Sequence, residues 1–433
     1  MPFTLQRIAI VIGLAMAASF QPAHARGDIE YRPYGSHPYD AADYSGAFIP
    51  EFEAPPIPPP FDGFLTQQAT SHNGLQVAKV LEPAVIQLVA SGELDSQDLK
   101  ELQKSLEQLS KQPGGIGAAL EQLAASQNAN LATATQATTQ HLSRQLLATL
   151  RTLPTDDDGH FWVQGLGNGG SLDAQHGSAG LKHDTQGLLL GADWAVDHAW
   201  RVGVMGAKTS SRFDAPRYAA ELDSWHLGGY AVRQDGPFAL RLGAIYSNHA
   251  GQNKRSVSLL NYHDSLKSKY NASSQTLFSE LGYQLGSGDS TVEPFVGLGY
   301  QRYQRDRFKE SGGVTALNVG PQTQRNLNST FGLRLATLYR FDNNMSLTPH
   351  LSTSWKHLYG DVNSQVRQTS RYAPGLIDGY TITGTALDRD SFDLQAGLDL
   401  ALSTQHSVGL TYTSQAGNHG HDQGLMGQWK ISF

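Results

Sequence analysis

Across residues 159–433, segments of about ten residues alternate large apolar side chains with small or polar ones. In one, Phe392, Leu394, Ala396, Leu398, Leu400 and Leu402 alternate with Asp393, Gln395, Gly397, Asp399, Ala401 and Ser403. In another, Phe238, Leu240, Leu242, Ala244 and Tyr246 alternate with Ala239, Arg241, Gly243, Ile245 and Ser247. A strand repeats every two residues, so each set occupies one face. About twelve such segments recur, an even number. They predict strands at 159–167, 185–197, 199–209, 222–233, 237–249, 274–285, 291–304, 326–341, 345–358, 390–403, 406–416 and 422–433. The connections alternate between short ones (198, 234–236, 286–290, 342–344, 404–405) and long ones (168–184, 210–221, 250–273, 305–325, 359–389). A soluble sandwich has no reason to sort its loops so regularly. The pattern predicts an all-β fold, a twelve-stranded antiparallel transmembrane β-barrel with tight periplasmic turns and long outer loops.

The two faces carry different chemistry. Trp194, Trp200, Phe238, Tyr246, Tyr283, Tyr300, Tyr339, Phe341, Trp355, Phe392, Tyr412 and Trp429 fall on the apolar face near strand ends, where amphipathic rings suit a water–lipid boundary. The opposite face holds many glycines and five charges, Asp193, Arg201, Arg241, Glu280 and Arg334. A cation facing lipid at mid-depth costs about 2–4 kcal/mol, so these five are expected to line the pore. The last strand ends in Leu425, Gly427, Trp429, Ile431 and Phe433, a pattern that resembles the C-terminal signal of outer-membrane barrel assembly.

Ahead of the barrel the period changes. Leu99, Leu102, Leu106 and Leu109 recur at helical spacing, with Ser96 placed to cap them and Pro113-Gly114-Gly115 to end them. A second helix is expected through Ile116, Leu120 and Leu123, and a third through Leu142, Leu146 and Leu150. Residues 129–140, rich in Ala and Thr and free of charge, suit a helix in a narrow polar hole or a flexible connector. Residues 26–74 hold scattered tyrosines and the prolines 55, 56, 58, 59 and 60, which predict an extended, disordered arm. Arg7, the apolar run 8–18 and Ala23-His24-Ala25 form a secretory signal with cleavage after Ala25. The expected domains are therefore 1–25 signal peptide, 26–74 arm, 75–158 helical junction and 159–433 barrel.

Composition narrows the function classes. Only 16% of residues are charged, the net charge is −7, and there are 45 glycines and no cysteine. A mean hydropathy of −0.36 excludes a bundle of membrane helices, and a chain without a basic footprint is not expected to bind nucleic acid. There is no HExxH, phosphate loop or nucleophile elbow. Gly288-Asp289-Ser290 falls in a predicted periplasmic turn, and His419, His421 and Asp422 are better read as a solvated loop than as metal ligands. The expectation is a protein with no cofactor, no metal and no enzymatic activity.

Taken in order, Phe161-Trp162-Val163-Gln164-Gly165, Leu190-Gly191-Ala192-Asp193, Glu280-Leu281-Gly282-Tyr283, Glu293-Pro294 and Lys430-Ile431-Ser432-Phe433 resemble the C-terminal translocator of a single-chain, monomeric (type V) autotransporter. The resemblance implies a twelve-stranded outer-membrane barrel with a helix in its pore, placed at about residues 136–153. It further implies export of the chain's own N-terminal part to the cell surface, with outer-membrane lipid, the barrel assembly machinery and periplasmic chaperones as partners. The departure lies in the passenger: only about fifty residues precede the helical zone, without a solenoid repeat. Asn128 and Asn130 are separated by Ala129 and lie upstream of the expected pore helix, so the chain is expected to stay uncleaved. A passive outer-membrane channel, or an adhesin acting on an unknown host or surface ligand through loops 250–273 and 359–389, is the alternative.

Overall fold

The computed structural model describes residues 63–94, 96–153, 158–286, 289–342 and 345–433. The expected signal with Ala23 and Ala25, the arm up to residue 62, and Gly288 lie outside the described residues.

Twelve antiparallel strands close a barrel: β1 (His160–Leu172), β2 (Leu181–Ala195), β3 (Trp200–Ala215), β4 (Tyr218–Asp235), β5 (Phe238–Leu259), β6 (Tyr262–Tyr283), β7 (Ser290–Arg305), β10 (Gln322–Thr337), β12 (Ser346–Gly360), β15 (Asp390–Ala401), β16 (His406–Gly417) and β17 (Gly420–Ser432). β11 (Tyr339–Arg340) prolongs β10, and β1 pairs with β17 to complete the wall. The outer connections carry a four-stranded sheet of β8 (Phe308–Lys309), β9 (Leu317–Val319), β13 (Gln365–Ser370) and β14 (Tyr380–Thr383).

The predicted outward face is the one presented to the surroundings. Trp194, Phe238, Tyr246, Leu277, Phe331, Trp355, Phe392, Leu410 and Trp429 are all exposed there. On β5 the outward apolar series Phe238, Leu240, Leu242, Ala244 and Tyr246 spans nine residues, at the lower end of the roughly nine to eleven of a tilted membrane strand. Beyond Tyr246 the outward residues turn polar with Asn248, Gln252 and Lys254.

The strands continue where the sequence pattern places loops. Residues 210–221 and 250–273 are strand apart from the turns Pro216-Arg217 and Leu260-Asn261, so β3–β4 and β5–β6 rise as hairpins above the apolar band. The outward residues there face water and lack the large apolar side chains that mark the membrane segment. What holds these hairpins in ladder is their inward row, where Phe213, Tyr218, Ala220, Leu222, Val257, Leu259, Leu266 and Tyr270 are buried.

Those side chains pack on helices. α1 (Phe64–Gln68), α2 (His72–Ala90), α3 (Ser96–Ser110) and α4 (Gly115–Ala124) share one apolar core with the hairpins and the small sheet, centred on Val77, Val85, Leu102, Leu106, Leu120, Val319 and Ile382. The leucine spacing reads α3 and α4 correctly. The helical region begins earlier than the expected boundary at 75: Leu65 is buried, and the Ser71 hydroxyl accepts the Gly74 N–H to cap α2. Ser96 stands inside the first turn of α3 rather than ahead of it. α5 (Gln127–Arg151) runs through the barrel, nine residues longer at its start than the expected 136. The Ala/Thr stretch is thus helix and not connector. Asn128 and Asn130 lie in its first turns and not upstream of it.

Candidate functional site: the helix-filled lumen

α5 fits the lumen because its upper half is made of small side chains. Ala129, Ala132, Ala134, Thr133 and Thr135 have no measurable exposure. Thr135 and Thr139 satisfy their hydroxyls within the helix, donating to the Leu131 carbonyl at 2.7 Å and the Thr135 carbonyl at 2.9 Å, whereas Thr133 donates to the Thr385 carbonyl at 2.9 Å. In the lower half Leu142, Leu146 and Leu150 form a stripe against Trp162, Leu166, Leu189, Met205, Tyr230 and Ile245. The opposite side of the helix faces a cavity of about 120 Å³ lined by Gly297, Gly299, Ser352 and Ser354 among others.

The charged contacts concentrate near the short-turn end. Arg151 donates from Nε to Glu280 Oε1 at 2.9 Å and from its Nη2 to the other oxygen, while its guanidinium lies over the Phe295 ring at 4.6 Å. Arg241 donates to Glu280 at 3.0 Å and to Glu293 at 2.6 Å. Arg334 donates to the Arg151 carbonyl at 3.2 Å, and Lys430 to the Thr152 carbonyl at 2.8 Å. The barrel therefore places two cations at the C-terminus of α5, where the helix dipole is negative. Midway along the helix, Arg144 pairs with Asp393, and Asp422 bridges His141 of α5 (3.3 Å) and His183 of β2 (3.0 Å).

At the loop end the contacts are amide-rich. Asn128 donates to Gln368 at 3.0 Å, Arg305 donates to the Asn128 carbonyl at 2.7 Å, and the Thr385 N–H donates to Asn130 at 2.6 Å. Arg255 and Glu310 form a buried ion pair beneath the helical cap. Asn73 of α2 exchanges two hydrogen bonds with Thr383, at 2.7 and 2.9 Å.

All five sequence-selected charges point inward and are buried. They divide into two groups. Glu280 and Arg334 contact Arg151 directly and Arg241 joins them through Glu280, whereas Asp193 pairs with Arg201 at 2.7 Å and accepts from the Tyr230 hydroxyl at 3.0 Å. Sequence reasoning did not select Arg144, Arg151 or Glu293, and its reading of Asp422 as part of a solvated loop is corrected: the carboxylate turns inward and is buried between His141 and His183. The signal for the two arginines was available: they are the only Lys or Arg residues of an otherwise uncharged helix. His419 and His421 do not converge: His419 meets Asp388 at 3.1 Å and His421 meets Ser171 at 3.2 Å. Among the described residues no group of three His, Asp or Glu side chains is arranged to hold a metal ion. At the C-terminus Leu425, Trp429 and Phe433 face outward, Gly427 stands in open space on the same face, and Ile431 is half-buried. The Phe433 backbone exchanges hydrogen bonds with Gly159 at the seam.

Residues 161–413 match the family described as autotransporter beta-domain, over more than half of the chain. Two proteins of Serratia marcescens, each named extracellular serine protease, are 30% identical over 270 residues, covering 62% of this chain. The chain spans about a quarter (26%) of the length of these curated relatives. Among solved structures, the translocator domain of autotransporter NalP from Neisseria meningitidis is similar at a TM-score of 0.56 and 16% identity, covering 70% of this chain and 99% of that one. At that identity the likeness concerns the fold.

Proposed function

This chain belongs to the autotransporters through its β-domain and resides in the bacterial outer membrane, and from that premise we propose that the barrel helps carry its own N-terminal part through the membrane and display it at the cell surface. The observation that supports this reading is the direction of α5. Arg151 lies beside the short-turn end and Asn128 beside the long connections, so every described residue ahead of α5 lies on the loop side, opposite the C-terminus. At 1.5 Å per residue the helix is about 37 Å long, enough to traverse the wall's apolar height.

On this reading α1–α4 remain docked as a cap and residues 26–62 form the exposed arm, the minimal passenger, on an uncleaved chain after removal of residues 1–25. The five inward charges and α5 act together as a plug, and the outward row ending in Phe433 is the mark read by the assembly machinery, with periplasmic chaperones escorting the chain beforehand. The barrel acts as a monomer. No catalytic step is assigned to it, and the activity in the names of the Serratia relatives is not carried over. α5 occupies the lumen along its length, with its upper half buried, which favours a plugged translocator over a passive channel.

An epitope inserted next to Asp40 tests the proposal. Antibody should label it on intact cells; labelling only after the outer membrane is permeabilised overturns it. In planar bilayers the full-length protein should conduct little, and deletion through Leu153 should open it.

A further inference from the structure

The chain carries a net charge of −7, yet cations gather in one sector of the outer wall. β5, β6, β7 and β10 are neighbours in the barrel. Their outward faces carry Lys254, Lys267, Lys269, Arg302 and Arg325, and the exposed carboxylates stand only at the margin: Asp306, just past β7, donates its N–H to the Asn271 carbonyl at 3.0 Å, and Asp361, just past β12, donates its N–H to the Arg325 carbonyl at 3.2 Å. Lys309 of β8 joins them across one open cleft that also touches Lys254, Lys267 and Lys269, about 360 Å³ in volume. The adjoining strands β2–β4 mix signs, setting Lys182, Lys208 and Arg212 beside Asp184, Asp214, Glu221 and Asp223. The far wall of the cleft carries Arg212, Asp214 and Glu221, the last engaged by Arg212 at 3.8 Å and Gln252 at 2.7 Å. Among the described residues none of the six cations forms an ion pair.

Their height on the barrel identifies the partner. Arg302 and Arg325 are directly opposite each other across β7–β10, one outward step above the pair Tyr300 and Leu327 that closes the apolar band. Lys254 and Lys267 are opposite each other across β5–β6, on the hairpin that rises from the membrane. From Leu277 at the band's edge to Lys269 is eight residues, which at 3.3 Å per residue and a tilt near 45° is about 20 Å of height. Like charges set directly opposite destabilise a strand pair, and here two such pairs occur in one sector. A ligand with anionic groups at both heights and apolar chains below removes both repulsions.

We propose that this sector binds the phosphorylated glycolipid of the outer leaflet. Arg302 and Arg325 take the phosphates of its acylated sugar base, and the four lysines take the anionic groups of the saccharide above it. The acyl chains lie against Leu277, Leu298 and Leu327, which are exposed below the arginines. The inference rests on the outer-membrane placement and not on the export reading, so failure of one leaves the other standing.

The test uses the full-length protein in a neutral zwitterionic detergent, titrated with rough lipopolysaccharide and with its core-less lipid A. R302Q/R325Q should weaken binding of both lipids by about tenfold or more, and the loss should shrink at high salt. K254Q/K267Q/K269Q/K309Q should weaken only the core-bearing lipid, and K182Q/K208Q should change neither. Resistance of the folded barrel to SDS without heating reports that each variant is intact. If the arginine variant fails to fold, dephosphorylated lipid titrated into the unaltered protein replaces it and should bind at least tenfold more weakly. Unchanged affinity in R302Q/R325Q or for dephosphorylated lipid overturns the proposal. So does a soluble polyanion without acyl chains, such as heparin, binding as tightly as the lipid.

Discussion

Replacing Glu280 by Ala isolates the grip of the barrel on its helix. Glu280 is nearly inaccessible and accepts hydrogen bonds from both Arg151 of α5 and Arg241 of β5. Arg334 approaches the same cluster, 4.0 Å from Glu293. Three guanidinium groups are thus balanced by two carboxylates, and E280A leaves Glu293 alone among them. Breaking a buried ion pair by removing one partner costs about 3–5 kcal/mol, because the remaining charges stay buried without compensation. Part of that energy fixes the lower end of α5, whose carbonyls are otherwise held by Arg334 and Lys430. E280A should therefore lower the urea midpoint of the folded barrel and raise single-channel conductance as the helix loosens. R151Q removes the helix's share of the same contact, so E280A/R151Q should be milder than the sum of the single changes, by about 0.5–3 kcal/mol of coupling. Equal midpoint and equal conductance for E280A and the parent refute the view that this cluster anchors the plug. Full additivity in the cycle refutes direct coupling of Arg151 to Glu280.

Three further changes probe other levels of the fold. L120A empties the centre of the cap, where Leu120 is wholly buried, and should cost about 2–5 kcal/mol, read as faster proteolysis of α1–α4 on intact cells while the barrel keeps its SDS resistance. G191A places a methyl carbon 2.1 Å from the Trp162 ring and should lower the yield of assembled barrel, whereas G165A, in open space on the lipid face, should not. The Asp197 carboxylate accepts the N–H groups of Ala199 and Trp200 at 2.8 and 2.7 Å, and these bonds hold its pKa below the ordinary 3.8. A lowered folded pKa contributes stability above the unfolded value that is lost as pH falls through the folded one. D197A should thus have a lower urea midpoint than the parent at neutral pH, and the gap should close below about pH 4.

The membrane-crossing wall was readable because lipid imposes a one-dimensional rule. Every outward position between Phe238 and Tyr246 must be apolar, and every inward one is free to be Arg241 or Gly243. The hairpins above the band obey no such rule. Their outward Asn248, Gln252 and Lys254 resemble loop composition, and the strands exist because their inward side chains meet helices distant in sequence. The lumen was half legible. Alternation assigned Asp193, Arg201, Arg241, Glu280 and Arg334 to the inside, but partner choice depends on the register between strands and on where α5 comes to rest.

The sequence by itself determined which residues cross the membrane, which way their side chains face and how many strands close the wall, because a period of two against lipid leaves one solution. Tertiary structure alone decided that α5 begins at Gln127, that Arg151 finds Glu280, and that α1–α4 cover the mouth. Those outcomes depend on contacts between segments hundreds of residues apart, as between Asn73 and Thr383, and no local pattern carries them. The basic sector combines both: the sequence supplies six cations, and only the closed barrel brings them side by side.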